Sequence, residues 1–235
     1  MTSKNYIFIN GMKTYCFTSK EEIIRYINDK KILLIAINAE KIINTKYSIH
    51  NIVNNNIGYP DGIAAVWALR KNGFRKAVKI PGVELWLDII KKYYNAKSFY
   101  IIGSKKEVIQ ETILKLKEEF PGIKILNFRD GYINTQKEKD QLFSDIKIKK
   151  PDIVFVATGS PRQELLMQEL YNLHSALYMG LGGSFDVYTH HVRRAPKFII
   201  WLNLEWLYRV AIQPKRINRL FYQVKFVFFL ILNKI

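Results

Sequence analysis

The residue types able to do chemistry cluster at four places in this chain of 235 residues. Asp61 stands between Pro60 and Gly62, just ahead of a helical pattern. It fits two roles: a turn aspartate capping the helix over 63–71, or a general base held rigidly by its neighbours. Gly159-Ser160-Pro161-Arg162-Gln163-Glu164 follows an apolar run and opens a helical stretch. Backbone N–H groups at such a junction offer a place for phosphate. Gly182-Gly183-Ser184-Phe185-Asp186 follows a second apolar run, where Asp186 fits either a helix cap or a ligand to a ribose or base. Asn38 ends a third run, as a turn residue or as a polar group facing a ligand crevice. Two glycine-marked strand exits in one α/β chain predict a nucleotide-type ligand at the carboxyl edge of a sheet.

Other chemistries lack their residues. There is no Gly-x-x-x-x-Gly-Lys-[Ser/Thr] and no Gly-x-Gly-x-x-Gly after the first strand, which argues against P-loop and ordinary dinucleotide folds. No Asp-x-Asp and no Cys/His cluster suggests a metal site. The one histidine pair, His190-His191, points its rings apart on a regular backbone. A diphosphate held without metal needs cationic side chains or helix N-termini.

The elements that must position these groups alternate strand and helix, the pattern of a largely parallel, Rossmann-like sheet flanked by helices. Strands are predicted over 6–9, 32–37, 98–103, 123–128, 153–157 and 176–180. Helices are predicted over 20–28, 63–71, 85–94, 105–120, 136–149 and 165–173, with residues 39–55 helical around a soft middle. Ser19 and Glu22 read as a capping box for the first helix. Tyr59-Pro60-Asp61-Gly62 reads as a turn. From Ala195 onward only short helices are expected, broken at Pro214. This divides the chain into an α/β catalytic part, 1–192, and a C-terminal helical appendage, 193–235.

Hydrophobic residues make up 49% of the chain, enough for one sizeable core, and Cys16 is the sole cysteine, so a disulfide framework is excluded. The first residues do not read as a signal peptide, and no apolar run reaches the ~20 residues of a spanning helix. A cytoplasmic protein is expected. Net charge is +17. Residues 193–235 hold nine Lys/Arg against one acid, Glu205. That excess predicts an anionic partner: nucleic acid, anionic lipid or a phosphorylated substrate. Ile217, Leu220, Phe221, Val224, Phe228 and Ile231 recur at helical spacing, with Arg216, Arg219 and Gln223 on the other side. The pattern fits a basic amphipathic helix in a membrane interface or a terminal helix packed on its own domain.

Taken in order, Asn38-Ala39-Glu40, Tyr59 to Ile63, Gly159 to Glu164, Gly180 to Tyr188, Arg193-Arg194-Ala195-Pro196 and Leu204 to Arg209 resemble the WecG/TagA/CpsF glycosyltransferases, glycosyltransferase family 26. The resemblance runs over about residues 5–220. It implies an inverting, metal-independent hexosyltransferase with no cofactor. The donor is a UDP-sugar carrying N-acetylmannosamine, N-acetylmannosaminuronate, glucose or a similar sugar. The acceptor is a polyprenyl-diphosphate-linked saccharide, in the biosynthesis of teichoic acid, capsule or related surface polysaccharide. The basic appendage would then associate with the inner face of the bacterial plasma membrane.

By the same resemblance Asp61 falls on the base, Asn38 on a strand-end polar ligand, Gly159, Gln163 and Glu164 on the donor motif, and Asp186 on a residue near the nucleotide. Lys79, with Arg194, Arg209, Arg216 and Arg219 of the appendage, would offset charge on the diphosphate. Two positions depart from the teichoic acid members: Ala36 replaces a threonine and Lys79 an arginine. Lysine keeps the charge and loses the bidentate fork, which weakens the case for UDP-N-acetylmannosamine as donor. The rival reading is a basic nucleic-acid-binding protein without enzymatic activity, although no reader module is visible. The oligomeric state is open, a homo-oligomer included.

Overall fold

The computed structural model describes residues 5–44, 47–213 and 217–233, without the side chains of Tyr47, Ser48 and Arg219. Strands β3 (Ile32–Ile37), β4 (Ile57–Pro60), β5 (Ser98–Gly103), β6 (Lys124–Arg129), β7 (Ile153–Ala157) and β8 (Leu177–Gly180) form one sheet in the order β4-β3-β8-β7-β5-β6. Every pairing in it is parallel. The inner strands are continuous apolar runs because both faces are covered. Alternate residues serve opposite cores. Leu33, Ile35, Tyr100, Val154 and Tyr178 face one, and Leu34, Phe99, Ile101, Phe155 and Met179 face the other.

On the first face lie α2 (Ala39–Asn44), α3 (Tyr47–Asn54), α4 (Ile63–Lys71), α7 (Gln136–Lys149) and α8 (Arg162–Leu173). On the second lie α1 (Lys20–Tyr26), α5 (Gly82–Tyr93), α6 (Lys106–Glu119) and α9 (Ser184–Tyr188). The C-terminal segment forms α10 (Lys197–Trp201), α11 (Glu205–Ile212) and α12 (Ile217–Ile231). Pro214, the predicted break, and Arg216 lie outside the described residues.

The fold is the expected parallel α/β architecture, with local corrections. An antiparallel hairpin, β1 (Tyr6–Ile9) and β2 (Met12–Tyr15), precedes the sheet. Asn10 and Gly11 form its two-residue turn with φ of 46° and 78°, the pairing such turns favour. Residues 57–60 are strand rather than the start of a turn. Gly58 and Pro60 argue against a strand, yet β4 is the sheet's edge, where a proline's missing N–H costs no ladder bond. The capping box at α1 is displaced: Ser19 Oγ accepts the Glu22 N–H, but Glu22 Oε2 accepts from Thr18 rather than Ser19. The first helix ends at Tyr26, and α5 begins at Gly82, three residues before its predicted start.

Candidate active site

The carboxyl ends of β3, β4, β7 and β8 open onto a cavity of about 620 Å³, and its wall includes Asn38, Asp61, Lys79, Gly159, Gln163 and Arg209. That volume suits a small-molecule substrate. The exits of these four parallel strands supply polar groups, and the appendage supplies a further side with Glu205 and Arg209.

Asn38 follows β3 and caps α2, its Oδ1 accepting the Lys41 N–H at 3.0 Å. Asp61 follows β4. The expected cap on α4 is not made, for Gly62 precedes that helix without a side-chain bond. Asp61 Oδ1 instead accepts the Gly82 N–H at 2.6 Å and caps α5 from 21 positions earlier. Pro81, the residue before that helix, has no polar side chain to do so. The bond fixes the carboxylate and sets it at a helix N-terminus, where negative charge is favoured. Burial pushes the Asp61 pKa up, against the Gly82 N–H, Lys79 and Arg209, which pull it down; the net shift is upward. A carboxylate raised toward neutrality is a better proton acceptor than a solvated one.

Two cations of this wall, Lys79 and Arg209, converge on one acid, and Arg194 approaches it from outside the wall. Glu205 Oε2 lies 3.2 Å from Lys79 Nζ, and Oε1 lies 2.9 Å from an Arg209 nitrogen and 3.9 Å from Arg194 Nε. Arg194 also pairs with Glu84, which Lys20 approaches at 3.1 Å. Burial acts to raise the Glu205 pKa, but Arg209 and Lys79 outweigh it and hold the group ionised. The sequence reading left Glu205 without a role. Only its isolation among nine basic residues marks it there.

The glycine loops are joined by Gln163. Its Oε1 accepts the Gly182 N–H at 2.9 Å, and its Nε2 donates to Glu164 Oε1 at 3.0 Å. Both ends of the amide are thus engaged within the protein. A Cβ on Gly180 would stand 2.7 Å from that Nε2, so the glycine makes room for it. Gly159 has φ of 80° with open space beside it, so its backbone conformation is what requires glycine there. Glu164 lies behind the cavity wall, fully buried, with Lys41 Nζ at 2.5 Å. Lys41 is a second residue the sequence reading passed over.

Asp186 is not brought to this wall. Its Oδ2 accepts from Ser104 Oγ at 3.1 Å, beside the exit of β5. There Gly103, with φ of 136°, and Gly131 pack backbone on backbone. Arg216 and the Arg219 side chain lie outside the described residues. Among the described residues, no three His, Cys, Asp or Glu side chains group as a metal site.

The Glycosyl transferase WecG/TagA/CpsF family model matches residues 9–235. The chain belongs to this family. It is therefore a glycosyltransferase, and its substrates are a sugar donor and an acceptor. The match spans nearly the whole chain, the basic appendage included.

The appendage is docked, and it keeps a second apolar face. Helix α12 packs on α2 and α4, with Phe226 fully buried and Leu230 against the same core. Of the stripe legible in the sequence, Ile217, Phe221, Val224, Phe228 and Ile231 are exposed, and Leu220 is half-buried. Phe198, Trp201 and Leu202 around α10 are exposed too, Trp201 at 80%. The reading as a terminal helix packed on its own domain holds for one face, and the other face is left uncovered. No helix among the described residues is long and apolar enough to cross a membrane.

Proposed function

We propose that this transferase moves a sugar from a UDP-sugar to a polyprenyl-diphosphate-linked saccharide, with inversion and without a metal ion. One observation carries the reading: a half-buried carboxylate, Asp61, is fixed on the same cavity wall as Lys79 and Arg209. Asp61 takes the proton of the acceptor hydroxyl as that oxygen bonds to the anomeric carbon. The bond from that carbon to the diphosphate breaks, and UDP leaves with the electron pair. Lys79 and Arg209, shared with Glu205, offset the charge that grows on the leaving oxygen. The nucleotide end would lie along Gly159, Gly182 and the Ser104–Asp186 pair, where glycine backbones allow close approach.

UDP is expected to raise the melting temperature, since a ligand bound only by the native state stabilises it. A panel of UDP-sugars with a short-chain lipid-diphosphate acceptor then tests the reaction. Full turnover is expected in excess EDTA. Activity abolished by chelation and restored by Mg²⁺ or Mn²⁺ would show that the diphosphate is held in another way. No turnover with any UDP-sugar would remove the donor assignment.

The outward apolar stripe of α12 and the α10 aromatics, amid basic residues, support peripheral attachment to the anionic inner leaflet of the bacterial plasma membrane. Phe221, Val224 and Phe228 changed together to Ser leave the inward Phe226 and Leu230 untouched. This variant is expected to leave anionic liposomes, with turnover on a water-soluble acceptor unchanged. Undiminished liposome binding at physiological salt would count against the stripe as the anchor. Attraction by lysines and arginines should weaken as salt rises, each contributing about 1 kcal/mol near the surface.

A further inference from the structure

Two residues before Asp61 on β4, Tyr59 carries a feature that the catalytic scheme does not use. Its side chain is fully buried, and its hydroxyl has no hydrogen-bond partner among the described residues. It stands in register with Ala36 of β3, and both residues contribute to the wall of the cavity that holds Asp61. Glycine makes the space for the hydroxyl. A Cβ on Gly82 would lie 2.6 Å from the Tyr59 oxygen and 3.4 Å from Asp61 Oδ1. The phenol, the carboxylate and the start of α5 therefore meet around one small volume. A buried hydroxyl without a partner destabilises the chain that contains it. Such groups persist where something outside the chain completes them.

We propose that Tyr59 is a substrate-positioning residue, its hydroxyl donating a hydrogen bond to an oxygen of the sugar that occupies the cavity beside Asp61. The assignment rests on reading this cavity as the site of glycosyl transfer. Burial, Asp61 and Glu164 push the Tyr59 pKa well above its ordinary value, so the group stays protonated and can donate. Opposite Tyr59 on β3, Ala36 presents only a methyl group to the cavity.

Tyr59→Phe tests this with three readouts on the full-length enzyme. Without substrate, the melting temperature is expected to equal or exceed that of the wild type, because the variant removes an unpartnered buried hydroxyl. UDP affinity is expected to stay within about twofold, since UDP lacks the transferred hexose and the acceptor saccharide that Tyr59 would contact. Turnover of the sugar nucleotide, measured well below the melting temperature, should lose about tenfold to a hundredfold in kcat/KM. A rise confined to the donor KM places the bond on the donor sugar, and one confined to the acceptor KM places it on the acceptor. Unchanged kcat/KM, a lowered melting temperature, or UDP affinity lost in parallel with turnover would each overturn the assignment. The first denies the contact, the second shows a hydroxyl already satisfied within the fold, and the third shows a general role in shaping the cavity. A wild type that neither binds UDP nor turns over any UDP-sugar sinks the transfer reading itself, a distinct result that takes this assignment with it.

Discussion

Asp61→Asn is expected to lower turnover by about 10²–10⁴-fold, the usual contribution of a positioned base, while the fold and UDP binding survive. The geometry separates the two effects. Asparagine keeps an oxygen in place of Asp61 Oδ1, so the Gly82 N–H retains its acceptor and α5 its cap. Only the capacity to accept a proton at the reacting oxygen is lost. Stability should be unchanged or slightly improved near neutral pH, and the sign follows from linkage. Burial raises the folded-state pKa of Asp61 above its ordinary value. Its stabilising contribution is therefore complete below the unfolded pKa and is lost as pH rises through the folded one. Removing the ionisable group takes away a cost that the wild type bears at pH 7. Wild-type activity should fall as pH drops through the raised pKa, and the variant's residual activity should not follow that profile. Near-wild-type turnover in Asp61→Asn would take the base assignment from this residue.

The parallel sheet was legible because buried strands such as Ile153–Ala157 are uninterrupted apolar runs between helical patterns. What stayed hidden depended on contacts distant in sequence. Gly58 and Pro60 disguise β4, and nothing local tells that Ile57–Pro60 lies at a sheet edge where both are tolerated. Asn10-Gly11 is a strong turn signal, but the strands it joins are only four residues each, too short for a clear alternating pattern. Asp61 looked like the cap of the helix beside it, and caps one that begins 21 positions later. The glycine motifs showed where a ligand crevice would form. They did not show that the Gln163 amide is spent on Gly182 and Glu164, or that Asp186 sits with Ser104 away from Asp61. The stripe on α12 was visible as a period of apolar residues, but periodicity cannot say which face a neighbour covers. Phe226, off that stripe, is the residue the core takes up.

Lys41 is the clearest case of such a hidden contact, and Lys41→Met should be the most destabilising change at the site. Lys41 Nζ and Glu164 Oε1 are 2.5 Å apart with side chains 4% and 0% exposed, joining α2 to α8 across 123 positions. Methionine fills similar space and leaves the Glu164 carboxylate buried without its cation, a loss of about 3–5 kcal/mol. For a chain of this size, that lowers the melting temperature by roughly 6–20 °C. Glu164→Gln added to Lys41→Met should recover much of it, because the pair is then removed whole and no buried charge remains. The pH dependence gives a second reading. Burial acts to raise the Glu164 pKa, but Lys41 and Gln163 hold it below the ordinary value. In the wild type its contribution is present above the unfolded carboxylate pKa and is lost as pH falls through the folded one. Without Lys41 the burial effect prevails, the folded pKa rises, and the variant should close part of its deficit as the solution is acidified. Function should follow stability imperfectly, since Glu164 also holds the Gln163 amide that fixes the Gly182 N–H. The double variant, though refolded, should therefore regain stability more completely than turnover. A single variant within about 1 kcal/mol of wild type, the range of an exposed ion pair, would show that Glu164 finds another partner. A double variant no more stable than the single one would show that the loss is packing and not charge.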